Sequence, residues 1–279
     1  MAKPLSATKM LSALRAEGVQ AKEYRSWRTH NRNAVGAWGG VNGVLIHHTA
    51  GRDSLRLCYE GRSDLPGPLC HTHLAKDGTA TMVGHGRANH AGRAAANAFN
   101  AVVAESSKHP RPSASSGTVD GNQHFYGLEI ENLGTKGDPY PAVQYDAAVR
   151  WAAAICRAHG WGADSVVGHK ETSVEGKPDP SFDMNRFRRD VAARLRGPAG
   201  GGTTPDEELD MDKSDVFAAV WKQDKAPAPS SSSTLEQNPT WQPINMMREL
   251  YDRVHELKAE VRELRSDVAQ IAELAKKEG

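Results

Sequence analysis

The nine residues GPAGGGTTP at positions 197 to 205 set the first limit on what this chain can fold into. Glycine and proline dominate them and no large apolar side chain is present, so burial cannot offset the entropy of ordering such a segment. The chain therefore divides into a unit ending near Arg196, within the usual size of one domain, and a tethered tail. A second polar stretch runs through Pro227, Pro229 and the serines at 230 to 233. Between the two, Ser214 to Trp221 is amphipathic and predicts a short helix. The expected organisation is a domain over 1–196, a linker over 197–240 and a C-terminal helix over 241–279.

Within the first unit, helical and strand periodicities alternate. A helix is predicted over Ser6 to Glu17, and β-like runs over Asn42 to His48, Leu69 to Lys76, Thr79 to Val83 and Phe125 to Glu131. Pro141 stands where a first helical turn tolerates it. Val143, Ala147, Trp151, Ala154, Ile155 and Ala158 then form a stripe that stops at Gly160. A short strand at Val166 to Gly168 and an arginine-rich helix over Asp183 to Leu195 close the unit. The fold class expected is mixed α/β, a central mixed sheet flanked by helices.

The tail carries the most regular pattern of all. Leu250, Val254, Leu257, Val261, Leu264, Val268 and Ile271 recur in steps of four and three, with valine at the a positions and mostly leucine at d. That combination favours a parallel two-stranded coiled coil, so a homodimer is expected. Glu260 would face Arg265 of the second copy, but Arg253 would face Lys258, so charge supports the pairing at one step of two. The competing expectation is a lone helix docked on the first unit.

Charge and cysteine usage mainly exclude. Lys and Arg number 35 against 34 Asp and Glu, which removes the basic footprint of a nucleic-acid binder. Met1 to Gly18 lacks the continuous apolar stretch of a secretory signal, and no segment is suited to span a bilayer. Cys58, Cys70 and Cys156 are an odd count, which argues against a disulfide-dense scaffold and leaves open a bridge between Cys58 and Cys70.

Three local contexts can carry chemistry. In GVLIHHTAG, residues 43–51, strand alternation puts Leu45 and His47 on one face and Val44, Ile46 and His48 on the other. A histidine pair on a strand is, by itself, more often structural than metal-binding. In GHKETSVEGKPDP, residues 168–180, His169 follows a short apolar strand and a polar loop delivers Lys177 and Asp179. His47, His169 and Asp179 together offer two nitrogens and one oxygen, the three protein ligands of a hydrolytic zinc site. In FYGLEIEN, residues 125–132, Gly127, Glu129 and Glu131 share a face, with Gly127 leaving room beside Glu129. A carboxylate so placed can act as general base and then general acid.

These residues together resemble the type 2 N-acetylmuramoyl-L-alanine amidases, which share a fold with the peptidoglycan recognition proteins. The resemblance implies Zn²⁺ held by His47, by His169 of the GH motif and by Asp179 of KPDP. It implies Glu129 as the acid-base residue and Lys177, two positions before the Asp ligand, as the group stabilising the oxyanion. NHAG at 89–92 looks like the family's WHAG loop, with Asn89 where an aromatic residue is common, so His90 is expected to line a muropeptide groove. His48, Thr49, Arg87 and Asn89 are further candidates for substrate contact.

The resemblance covers roughly Val41 to Arg196. SDLPGPLCH, DGTATMVGHGRANHAG, HFYGLEIENLG and the leading SWRTHNRNAVGAWGGVNGV look like endolysins of phages that infect actinobacteria, as does the tail from NPTWQPINMMRELYDRVHEL. The implied activity is hydrolysis of the amide between N-acetylmuramic acid and L-alanine in bacterial peptidoglycan. The implied location is the host cytoplasm until lysis and the cell wall afterwards, with no nucleic-acid or membrane partner. The alternatives are a peptidoglycan-binding module that does not cut, and a virion-associated wall-degrading tail protein.

Overall fold

The structure is a computed structural model that describes residues 1–200 and, beyond them, 226–227, 240–241, 245, 247, 250–261 and 263–265. The chain forms two compact units, Met1–Gly202 and Thr203–Gly279.

Six strands build the sheet of the first unit: β1 (Ala21–Glu23), β2 (Val44–His48), β3 (Thr72–Leu74), β4 (Ala80–Met82), β7 (Tyr126–Ile130) and β8 (Val166–Gly168). Two-residue strands β5 (Arg93–Ala94) and β6 (Val119–Asp120) pair outside it. Its order is β1-β4-β3-β7-β2-β8, and every pairing is parallel except that of β3 with β4. The mixed α/β class expected from the sequence is what the chain adopts; β2 starts two residues later than its predicted run, β3, β4 and β7 are shorter at both ends, and β8 has the predicted bounds.

The helices are α1 (Ala7–Ala16), α2 (Leu55–Glu60), α3 (Ala96–Val103), α4 (Gly121–His124), α5 (Ala142–His159), α6 (His169–Thr172) and α7 (Met184–Arg196). Ser6 caps α1 by accepting a hydrogen bond from the Lys9 amide, and Asp183 caps α7 by accepting from Asn185 and Arg186. Gly160 ends α5 in the left-handed conformation, φ 71°. The sequence stripe on α5 is only partly the buried one. Val143 and Ala158 are exposed, while Gln144, Ala148 and Ala152 join Ala147, Trp151 and Ile155 inside. Gln144 is drawn in because its Nε2 donates to the carbonyls of Leu74 and Glu131, a polar contact that simple apolar periodicity misses.

One face of the sheet carries the main core. Val44 and Ile46 of β2, Tyr126, Leu128 and Ile130 of β7, Leu74 of β3 and Val166 of β8 pack with Trp151 and Ile155 of α5 and with Met10 and Leu14 of α1. Each large side chain so buried contributes about 1.5–3 kcal/mol. Trp151 also donates to Thr72 Oγ1 at 2.9 Å, which ties α5 to β3. Glu17, Arg157 and Arg194 make a buried ion cluster that joins the end of α1 to α5 and α7. The opposite face holds a smaller apolar cluster, Leu45, Val167, Phe99, Val102 and Phe125, and beside it the polar residues described below.

In the second unit, β9 (Ala226–Pro227) pairs antiparallel with β10 (Thr240–Trp241), and residues 250–261 and 263–265 are helical. Leu250, Val254, Leu257, Val261 and Leu264 are all exposed on this helix. The predicted helix at 214–221 and the heptad residues Val268 and Ile271 lie outside the described residues.

Candidate metal centre

The site lies at the C-terminal ends of the parallel strands, the position where open α/β sheets characteristically bind ligands. His47 is the fourth residue of β2, Glu129 the fourth of β7, and His169 directly follows β8. His47 pairs with Glu129 on one side of β7, and Glu129 pairs with His73 of β3 on the other. Register therefore places an imidazole, a carboxyl and a second imidazole across one face of three adjacent strands.

Asp179 completes the constellation from a loop. Its Oδ2 lies 3.2 Å from His47 Nδ1 and 3.1 Å from His169 Nδ1, and all three residues are at least nine-tenths buried. Three ligand atoms so spaced suit a small cation bound to all of them, and the set of two nitrogens and one oxygen suits zinc with one position left open. Burial acts to raise the Asp179 carboxyl, but contacts with His169 and His47 overcome it and hold the group well below its ordinary range. Burial, with His169 nearby, pushes His47 down to about 4. An ionised carboxylate and a neutral imidazole at neutral pH are the states that ligation requires.

The loop is fixed by a lysine that sequence reasoning passed over. Lys170 donates its backbone N–H to the Asp179 carbonyl at 2.7 Å and its Nζ to the carbonyls of Pro180 and Phe182, each at 2.6 Å. Gly168 lets this loop approach, since a Cβ there would lie 2.8 Å from Pro180 Cδ. Glu171 accepts from the Gly168 amide and pairs with Arg188 through both oxygens, which anchors the start of α6 and with it His169. Lys177 takes no part in that lattice. Its Nζ lies 3.3 Å from Glu175, and both side chains are exposed.

Glu129 is half-buried on its strand. Its Oε2 is buried without a hydrogen-bond partner, and burial, reinforced by Cys58 and Asp179, holds the carboxyl well above its ordinary range. Cys58 and Cys70 are free thiols, both buried, as is Cys156.

Gly127 makes room for a different residue from the one expected: a Cβ there would sit 2.6 Å from His90 Nδ1. His90 has both ring nitrogens engaged inside the protein, Nδ1 at 3.0 Å from His47 Nε2 and Nε2 at 3.1 Å from the Phe125 carbonyl. His90 lies behind His47, because the 89–92 loop is drawn inward by Asn122, whose Oδ1 accepts from the His90 and Ala91 amides. Arg87 is likewise turned inward, donating to the Ala37 carbonyl and to Asp120. His48 meets the Tyr140 hydroxyl through Nδ1 at 3.0 Å, Thr49 donates to the Gly51 carbonyl, and Asn89 donates to the Pro66 carbonyl.

His71 and His73 also belong to this face; sequence reasoning passed over them, although a strand over residues 69–76 puts both on one side. His71 Nδ1 accepts from the Gly127 amide and its Nε2 donates to the Gly86 carbonyl, while His73 Nε2 contacts Ser54 Oγ and lies 3.5 Å from Glu131.

Two imidazoles and a carboxylate about a common point, beside an acid with a spare buried oxygen, are the parts that cation-assisted hydrolysis needs. The class is that of a hydrolase. The sequence profile of the family described as N-acetylmuramoyl-L-alanine amidase (Amidase_2) matches residues 37–182, just over half of the chain. The chain belongs to that family, and its activity is that of a peptidoglycan amidase.

Solved structures with a similar fold include the endolysin amidase LysCS of Clostridium intestinale, 15% identical over 61% of this chain and 94% of its own, with a TM-score of 0.40. AmiD of E. coli, solved with anhydro-N-acetylmuramic acid-L-Ala-D-γ-Glu-L-Lys, is 17% identical over 76% of both chains with a TM-score of 0.40. AmpDh3 of Pseudomonas aeruginosa, solved with an anhydromuramic pentapeptide, is 19% identical over 60% of this chain and 64% of its own, with a TM-score of 0.39. A search of curated proteins found no match.

Proposed function

We propose that the chain is a zinc-dependent amidase that cuts between N-acetylmuramic acid and L-alanine, and that it serves as a phage endolysin. The observation that carries the zinc assignment is the convergence of His47 Nδ1, His169 Nδ1 and Asp179 Oδ2 beside the unpartnered Oε2 of Glu129. When bound there, zinc supplies the Lewis-acid polarisation that amide hydrolysis at neutral pH requires.

The chain's own residues account for the proton movements. Glu129 Oε2 takes the proton from the attacking water, and the burial that strengthens it as a base lets it hold that proton for the leaving nitrogen. Lys177 turns from its exposed contact with Glu175 toward the developing oxyanion. A pair so exposed holds loosely enough to permit that movement. His48, Thr49 and Asn89 contact the substrate.

The endolysin role is supported by the likeness of residues 63–71, 77–92 and 124–134 to enzymes of phages that infect actinobacteria. On this reading the protein stays in the host cytoplasm until lysis and then works on the wall. Its heptad helix joins two copies, which raises the local concentration of catalytic units on a polymeric substrate.

The test is to measure zinc content together with new amino termini and new reducing sugars released from actinobacterial peptidoglycan, for wild type and Glu129→Ala. The expected result is about one zinc per chain in both proteins, with new amines but no new reducing ends, and loss of that release in the variant. Bound zinc without cleavage of any wall would replace this reading with that of a binding module.

A further inference from the structure

We propose that His90 is a positioning residue of the metal centre, one that fixes His47 in the tautomer presenting Nδ1 to a divalent cation. The inference deepens the zinc reading above and rests on it.

A carbonyl oxygen only accepts, so the 3.1 Å contact with Phe125 makes His90 Nε2 the donor. Ligation through His47 Nδ1, which faces Asp179 Oδ2 at 3.2 Å, needs the His47 proton on Nε2. His90 Nδ1 lies 3.0 Å from that Nε2, and a ring that donates through its own Nε2 accepts there through Nδ1. The chain of contacts from the Phe125 carbonyl through His90 to His47 thus favours a metal-ready site.

The surroundings hold His90 in this role. Its amide and that of Ala91 both donate to Asn122 Oδ1 at 2.8 Å. The His47 and His90 rings meet nearly edge to face, at an interplanar angle of 83°. Gly127 lies where any side chain would strike the His90 ring. The glycine is thus part of the same device, two residues before Glu129 on the same strand.

Partners that orient a ligating histidine typically alter metal affinity 10–100-fold when removed. The experiment measures zinc affinity of the full chain by competition with a chromogenic chelator, for wild type, His90→Leu, His90→Gln and Gly127→Ala. His90→Leu is expected to bind zinc about 10–100-fold more weakly. His90→Gln is expected to recover most of that loss, because an amide accepts with its oxygen and donates with its nitrogen. Gly127→Ala is expected to weaken binding like His90→Leu although His90 is still present.

Wild-type affinity in a folded His90→Leu protein would overturn the proposal alone. Should His90→Leu not fold, wild-type affinity in Gly127→Ala does the same. If the wild type takes up no zinc, the zinc reading falls and this one falls with it.

Discussion

Lys170→Met is the substitution that asks most directly whether the Asp179 loop is prefolded for its ligand. Methionine keeps the length and apolar stem of the side chain, and the backbone bond from residue 170 to the Asp179 carbonyl is retained. What is lost are the two hydrogen bonds from Nζ to the carbonyls of Pro180 and Phe182. Hydrogen bonds from a charged donor contribute about 1.5–3 kcal/mol each when buried. Lys170 is only half-buried, so solvent screening reduces the pair to about 2 kcal/mol in all. If that loss falls on the loop in its ligating position, zinc affinity drops about thirtyfold. Chelator competition on Lys170→Met and wild type measures it, with Lys177→Met as the contrasting variant. Lys177, whose Nζ lies 3.3 Å from the exposed Glu175, is expected to leave zinc affinity unchanged and to slow turnover about a hundredfold. A Lys170→Met protein binding zinc within about twofold of wild type, a difference of less than 0.5 kcal/mol, would refute the reasoning.

Asp179→Ala removes the one oxygen of the proposed zinc site, and the purified variant is expected to lack zinc by elemental analysis; normal zinc content would show that Asp179 is no ligand. The metal-free protein is expected to lose stability as pH falls. Burial depresses His71 to about 3 and His73 to about 4, so below the unfolded value of about 6.5 the unfolded chain binds protons that the folded one excludes. Stability is complete above that pH and declines by about 1.4 kcal/mol per pH unit for each group down to the folded pKa; a melting temperature that stays flat from pH 6.5 to 4 would contradict it. Truncation after Pro205 removes the heptad helix, and sedimentation is expected to show a dimer for the full chain and a monomer for the truncated one. Equal monomer masses would dispose of the coiled-coil dimer.

The residues that converge on the site were legible where each sits on or directly after a strand. Alternation along residues 43–51 separates His47 from His48, and the structure places the first among the candidate ligands and the second against Tyr140. Asp179 was legible by its resemblance to the family's loop, but the means of holding that loop was not. Lys170 acts through backbone carbonyls ten and twelve residues on, and no local pattern encodes a partner at that separation. His90 was noticed, but its contact with His47 was not legible. A histidine in a loop carries no periodicity to say which way it faces, and its direction is set by Asn122, 32 residues away, and by the absence of a side chain at Gly127. The ends of α5 were misread for a related reason: the stripe counted Val143 as buried, whereas the helix turns Gln144 inward to two strand carbonyls.

The apolar core does more than stabilise the unit that carries this chemistry. Val44 and Ile46 pair with Tyr126 and Leu128 along the β2 and β7 ladder, and all four face the core shared with α5. Slipping that ladder by one residue would turn the apolar set of one strand toward the other face, at a cost of about 1.5–3 kcal/mol for each large side chain exposed. Because side chains alternate, the same constraint fixes His47 beside Glu129. The two polar residues therefore need no contact with each other to be held in register, and Glu129 can keep an oxygen without a protein partner. An oxygen left unpaired in a buried site is costly, and it is the core on the far face that allows the fold to bear it. The loop residues have no such support, which is why Asp179 depends on Lys170 and why the orientation of His47 depends on a second histidine.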